Sequence, residues 1–179
     1  MKQDCAINGV PPVKAAKGKA NYGRMDMRIG RDATWFYHGT PIRRKEMVCL
    51  FASILTRRAD GSYWLDTPAE EGQIEVEDVP FLAVELCTSG SGREAVLSFR
   101  TNVDDVVALD TDHPIRVIAD ENGTPAYLTV RDGLEARLSR AVYYELVAMG
   151  VDEAFAEEQR YGVWSCGTFF PLDKAEEPA

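Results

Sequence analysis

An α+β fold is predicted for this chain, with two repeated ββαβ-like modules joined by an antiparallel strand-rich segment and helices packed on sheets. Three observations predict it. Residues 27–42, with the basic and apolar run after them, read as strand, turn, strand, then helix. The same order returns nearly ninety residues later, over 115–150. Between the two, a pair of β-favourable segments flanks a Gly/Ser loop. The organisation that follows is a flexible arm over 1–22, a first module over 23–70, a connector with the second module over 71–172, and a tail over 173–179.

Composition sets the bounds. The 179 residues are 45% apolar and 27% charged, close to globular averages and enough to bury a core. No apolar run approaches the ~20 residues of a membrane span, and the lysine-bearing N-terminus lacks the apolar core of a secretory signal. A cytoplasmic protein with no membrane partner is expected. Cys5, Cys49, Cys87 and Cys166 stand far apart with no C-x-x-C pair, which removes the usual zinc and thioredoxin-like signatures. Net charge is −9, divided as +7 over residues 1–60 and −16 over 61–179. An acidic total argues against nucleic-acid binding, while a local basic face on the first module stays open.

The elements follow in order. The arm, with Asn8-Gly9 and Pro11-Pro12, has neither helical nor strand period. Met27 and Ile29 mark a short strand, Arg31-Asp32-Ala33 a turn, and 34–38 a β-favourable run in which Trp35 and Tyr37 share a face. A helix is expected over 43–56, its buried stripe formed by Met47, Leu50, Phe51, Ile54 and Leu55. Asp60-Gly61 turns the chain into a strand at 62–65. Residues 74–77 alternate, and 81–86 and 95–100 form a hairpin around 88–92. The second module places strands at 115–118 and 127–130, around a turn at 120–123. Asp132 and Glu135 have capping-box spacing, so a helix is expected from Gly133 to Gly150 with Leu134, Leu138, Ala141, Val142, Leu146 and Met149 buried. An acidic connection over 152–158 then leads to a last strand around 162–164. Setting Ile42 against Leu134 aligns the two helices.

The chain resembles a known bacterial family. Asp26-Met27-Arg28-Ile29, Arg31-Asp32, Thr34-Trp35-Phe36-Tyr37, Gly39, Pro41-Ile42 and Arg44 are similar to the family catalogued as domain of unknown function 1285. So are 99–105, His113-Pro114, 139–144 and 162–165, and the likeness covers about 26–172. It departs at Ala33, where that family's turn usually carries glycine. The resemblance implies a mixed α and β protein with repeated motifs and a role in signal transduction. It brings no established activity and no catalytic residues.

No P-loop, dinucleotide fingerprint, H-E-x-x-H or G-x-S-x-G occurs. With His38 and His113 as its two histidines, one chain has no multi-histidine metal site. Asp104, Asp105 and His113 are the metal or acid–base candidates, since hard oxygen ligands and an imidazole fall within ten positions; loop-capping is the stronger expectation for them. Arg43, Arg44 and Lys45 open the first helix, where cations oppose the helix dipole and an anion would meet free N–H groups. Pairing with the protein's own acids is expected ahead of an external ligand. Trp35 and Tyr37 join them as ligand candidates, with sheet packing again the stronger expectation.

The expected function is a non-enzymatic cytosolic binding or adaptor protein that recognises a small anionic ligand or a protein partner. The alternative is a metal-assisted enzyme using the acidic run 104–113. These residues name no cofactor.

Overall fold

Alternation of apolar and polar residues builds the first sheet. In the computed structural model, which describes residues 19–118, 125–155 and 158–172, β1 (Ala20–Ile29) turns Met27 and Ile29 into the core. Strands β2 (Trp35–Tyr37) and β3 (Thr40–Pro41) fold back beside it as a meander. The helix α1 (Lys45–Ser53) crosses over to a second meander, β4 (Leu55–Arg57), β5 (Tyr63–Asp66) and β6 (Glu70–Val76). Parallel pairing of β6 with β1 joins the two, in the order β3-β2-β1-β6-β5-β4.

The second sheet repeats this plan. It comprises β7 (Phe81–Ser89), β8 (Val96–Thr101), β9 (Val106–Ala108), β10 (Ile115–Val117), β11 (Ala126–Arg131) and β12 (Leu134–Leu138). Read from β9, its order is β9-β8-β7-β12-β11-β10, again with first and sixth strands parallel at the centre. The helix α2 (Arg140–Ala148) follows, then a three-stranded sheet of β13 (Val151–Phe155), β14 (Glu158–Ser165) and β15 (Thr168–Pro171).

The two modules are therefore repeated six-stranded sheets, and their repeat differs from the one read in the sequence. β1 and β7 begin 61 residues apart, and β6 and β12 begin 64 apart. The helices do not correspond: α1 lies between the third and fourth strands of its module, α2 after the sixth. Aligning Ile42 with Leu134 matched helical period to what is a strand. Residues 134–138 alternate, with Leu134, Ala136 and Leu138 buried and Glu135 and Arg137 less so. Asp132 and Gly133, at φ 42° and 75°, make a tight hairpin turn rather than a helix cap. The cap is Ser139, whose side chain accepts from the Val142 N–H at 3.3 Å.

Four further boundaries differ. Residues 20–22, expected in the arm, belong to β1, while 1–18 lie outside the described residues, as do the turn 120–123 and the tail 173–179. The change of sheet falls between Val76 and Phe81, because β6 completes the first sheet. The acidic connection contains β13, paired antiparallel to β14. Helix α1 is shorter than expected, and Leu50 and Met47 lie on its exposed side at 61% and 39% exposure. Its inner side is Ala52, with Val48, Cys49 and Phe51 half-buried.

One continuous core links both sheets. Ile29 and Trp35 from the first share one buried cluster with Phe81, Leu97, Phe99, Leu128 and Leu134 from the second, all essentially fully buried. Polar contacts reinforce the junction. Lys45 Nζ donates to Asp104 Oδ1 at 2.7 Å, Arg137 Nη2 to the Arg31 carbonyl at 2.6 Å, and Arg131 Nη2 to the Ala52 carbonyl at 2.7 Å.

Candidate functional site

A cleft beside β1 follows from unequal strand lengths. β1 pairs with β6 over residues 20–29, but with β2 only over 27–29. Beyond Tyr37 the second strand stops, because His38 and Gly39 adopt positive φ (47° and 73°) and reverse the chain. Glycine takes that conformation freely, whereas histidine takes it at a cost. The His38 N–H donates to the Asp26 carbonyl at 3.0 Å, and His38 Nδ1 lies 2.7 Å from Asp26 Oδ2, so the strained residue is tied at both ends. Before Met27, β1 runs on with no described strand on that flank.

A cleft of about 400 Å³ occupies the notch, lined by Arg24, Met25, Asp26, Met27 and Arg28 with Phe36, Gly39 and Glu75. Five consecutive strand residues line it. Since successive side chains point to opposite faces, a cavity touching all five abuts the edge of the strand rather than one face. The strand also bows here: Arg24 pairs with Gln73 and Arg28 with Glu75, so four steps on β1 oppose two on β6. Such a bulge re-aims side chains.

The charges in the notch are balanced and loosely held. Arg24 Nη2 donates to Glu75 Oε2 at 2.8 Å, with the two side chains 72% and 52% exposed. Arg28 pairs with Glu77, and its guanidinium lies 4.1 Å from the Phe36 ring centroid. Exposed pairs of this kind contribute about 0–1 kcal/mol, so an incoming anion exchanges for either glutamate at little cost.

The structure disperses the residues singled out from the sequence. Trp35 is 1% exposed and stacks on Phe51 with centroids 6.1 Å apart, so it packs in the core and does not line the cleft. Tyr37 is half exposed, with its ring 4.1 Å from that of His38, at the notch but outside the cleft lining. Lys45 is matched with Asp104, so one of the three cations meets an acid of the second module. Arg43 and Arg44 are exposed, make no ion pair among the described residues and do not line the cleft.

Asp104, Asp105 and His113 do not converge. Asp104 is shared by Lys45 and Arg100, and the Lys45 hydrogen bond leads the influences holding its carboxyl below the usual range. Asp105 pairs with Arg131, and His113 Nδ1 lies 2.9 Å from Asp110. Among the described residues no three of His, Cys, Asp and Glu come together in a metal-binding group. The acids instead close turns, as Asp110 does by accepting from the Asp112 and His113 N–H groups at 2.9 Å.

A second cavity, of about 190 Å³, lies where α1 meets the β8–β9 turn, lined by Cys49, Ala52, Ser53, Val103, Asp105 and Arg131. Its charged pair is already satisfied, and Arg131 also sits over the Phe81 ring at 5.1 Å. The groups that sequence reasoning missed are Arg24, Asp26, Arg28 and His38. A signal for the first three was present: charges at alternate positions 24, 26 and 28, interleaved with Met25, Met27 and Ile29, mark a strand with one core face.

Fold and cleft together define a two-module, mostly β protein built on two six-stranded sheets, with one flank of β1 unpartnered before Met27 among the described residues. Family comparison is more specific. A model described as the N-terminal domain of unknown function DUF1285 matches residues 11–79, and one for the DUF1285 C-terminal domain matches 80–172. The chain belongs to the DUF1285 family, and the boundary between those matches falls in the link between β6 and β7. It is similar to a crystallised DUF1285 family protein from Silicibacter pomeroyi DSS-3, at 43% identity and TM-score 0.78, covering 87% of this chain and 83% of that one. A DUF1285 family protein from Shewanella baltica OS155 is similar at 29% identity and TM-score 0.56, covering 69% of this chain and 91% of that one. No curated protein matches the chain. No helix of the described residues is long and apolar enough to cross a membrane.

Proposed function

We propose that this is a cytoplasmic binding or adaptor protein, acting in signal transduction rather than catalysis, which recognises an anionic ligand or a protein partner at the β1 notch. One observation carries the reading: Arg24 and Arg28 line the cleft, and the ion pairs of both guanidinium groups are with part-exposed, exchangeable glutamates. Arg28 over Phe36 adds a flat, pre-positioned cationic surface. The enzyme alternative draws no support from Asp104, Asp105 and His113, which are spread over separate ion pairs.

The test is ligand-dependent thermal shift with citrate, pyrophosphate and inorganic phosphate, on the parent protein and on the double variant Arg24→Ala, Arg28→Ala. A shift in the parent that the variant loses supports the reading. Equal shifts in both proteins, or none in either together with no acidic-peptide binding, overturn it.

A further inference from the structure

The notch exposes main chain as well as side chains, and this narrows the kind of partner. Along β1, the hydrogen bonds toward β2 and its turns leave from even-numbered positions: the Gly30 N–H donates to the Thr34 carbonyl at 2.9 Å, and the Asp26 carbonyl accepts from His38. Arg28 lies opposite Phe36 in the same ladder. Beyond Asp26 β2 has ended, and two register shifts in the β1–β6 pairing, between Asn21 and Arg24 and between Arg24 and Arg28, interrupt that alternation. From Asn21 to Met25 this flank has no strand partner among the described residues, a run of roughly 13 Å, with β6 covering the other flank.

The covered flank shows which charges β1 accepts. Asn21 donates to Glu71, Tyr22 to Glu70, Arg24 to Glu75 and Arg28 to Glu77, so each of these polar side chains meets a glutamate carried by β6 or the turn after it. Glu75 and Glu77 stand two residues apart, the spacing that puts both on one face of a strand. An arginine has five donors, and Arg24 uses one of its nitrogens on Glu75. Asp26, the one acid that β1 contributes to the lining, is already engaged by His38. Among the described residues that flank of β1 thus has no strand partner before Met27, and its two arginines pair with carboxylates.

We infer that the notch receives an extended acidic segment of a partner protein, which adds to β1 as a strand opposite Tyr22–Asp26 and sets carboxylates at alternate positions beside Arg24 and Arg28. This rests on the binding function proposed above and specifies its ligand. Main-chain hydrogen bonds provide the attachment, and the alternate carboxylates select the partner. The same edge is guarded against indiscriminate pairing, since charged side chains and the local bulge at Gly23 (φ 65°) disfavour an uncharged or basic strand. Self-pairing of two copies about Arg24 would set like charges opposite each other, which disfavours a second copy as occupant.

Fluorescence anisotropy tests this with a labelled peptide of alternating valine and glutamate. Two control peptides accompany it: one carries N-methyl groups on the amides of one edge, and one has lysine in place of glutamate. Saturable binding of the glutamate peptide is expected, weakened by about tenfold or more by N-methylation, by lysine and by Arg24→Glu. Arg24→Gln keeps the side-chain length without the charge and is expected to weaken binding less than Arg24→Glu. Equal binding of the N-methylated peptide would overturn strand addition, as would an unchanged affinity in Arg24→Glu. Sedimentation showing a dimer that Arg24→Glu dissolves would assign the edge to a second copy instead. If citrate or pyrophosphate protects the protein through Arg24 and Arg28 while the peptide fails to bind, strand addition falls and the broader binding function stands. If neither binds, both fall.

Discussion

Removing Arg131 should loosen the docking of α1 on the second sheet. Its guanidinium donates to the Ala52 carbonyl at 2.7 Å, pairs with Asp105 and lies over the Phe81 ring. Carbonyls in the last turn of a helix lack intrahelical donors, so Arg131 supplies one from the other module. Hydrogen bonds involving a charged group contribute about 1.5–3 kcal/mol each. The two side chains of the ion pair are 32% and 35% exposed, which places this pair at the lower end of that range. Arg131→Met retains most of the apolar stem and leaves Asp105 without its cation. A loss of about 3 kcal/mol follows from the two contacts, with a fall in Tm of about 6–12 °C for a chain of this length. Urea and thermal unfolding measure both quantities. A double-mutant cycle with Asp105→Ala should return a coupling of about 1 kcal/mol, because the residues share one contact. A loss under about 0.5 kcal/mol in Arg131→Met, or strictly additive effects in the cycle, would refute the clamp.

Three further outcomes are expected. Ala33 is buried at φ 61°, so Ala33→Gly trades roughly 1 kcal/mol of backbone strain against a lost methyl and a freer unfolded chain; it should change stability by less than about 1 kcal/mol in urea unfolding, whereas Ala33→Val should cost more than about 2 kcal/mol. Gly162→Ala would place a Cβ 2.3 Å from the Phe170 carbonyl oxygen, which the β14–β15 ladder holds in place; about 3 kcal/mol of destabilisation and early amide exchange in β14 and β15 should follow. At Asp110, burial opposes ionisation, but hydrogen bonds from His113 and the Asp112 N–H outweigh it and hold the carboxyl below its ordinary value. The folded pKa is depressed, so the contribution to stability is present above the unfolded pKa of about 3.9 and disappears as pH falls through the lower folded value. Asp110→Asn should therefore flatten the acid limb of stability against pH in that window, and an unchanged slope would show that the turn does not depend on the ionised carboxyl.

Much of the strand content was legible because period-two alternation is local. The hairpin of β7 and β8, the turn at Asp60-Gly61 and the strand at Tyr63 all follow from residues within a few positions of one another. Residues 134–149 misled because their apolar positions satisfy helical spacing as far as Met149, while positions 134–138 also alternate strictly. Asp132-Gly133 was the deciding signal, since a hairpin turn needs consecutive positive φ and a helix start does not. In α1, Leu50 and Met47 belonged to a plausible apolar stripe, yet the face turned inward is the one carrying Ala52. Which side of a short helix is buried depends on what it docks against.

The candidate site was less legible than the fold. Local composition pointed to Arg43–Lys45 because three consecutive cations at a helix start are conspicuous. What makes Arg24, Asp26 and Arg28 a site is that β2 ends early while β1 continues, and this is a relation between two strands.

By itself the sequence determined many of the strands and several of the turns, because propensity, alternation and turn chemistry act over a few residues. Tertiary structure alone decided that the repeat is of whole six-stranded sheets, that β1 and β6 meet in parallel as β7 and β12 do, and that β2 pairs with β1 only over Met27–Ile29. The physical reason is distance along the chain. Ala20 meets Glu70 and Ala83 meets Leu138 only through long-range pairing, and no local pattern specifies which of several β-favourable segments a strand will join.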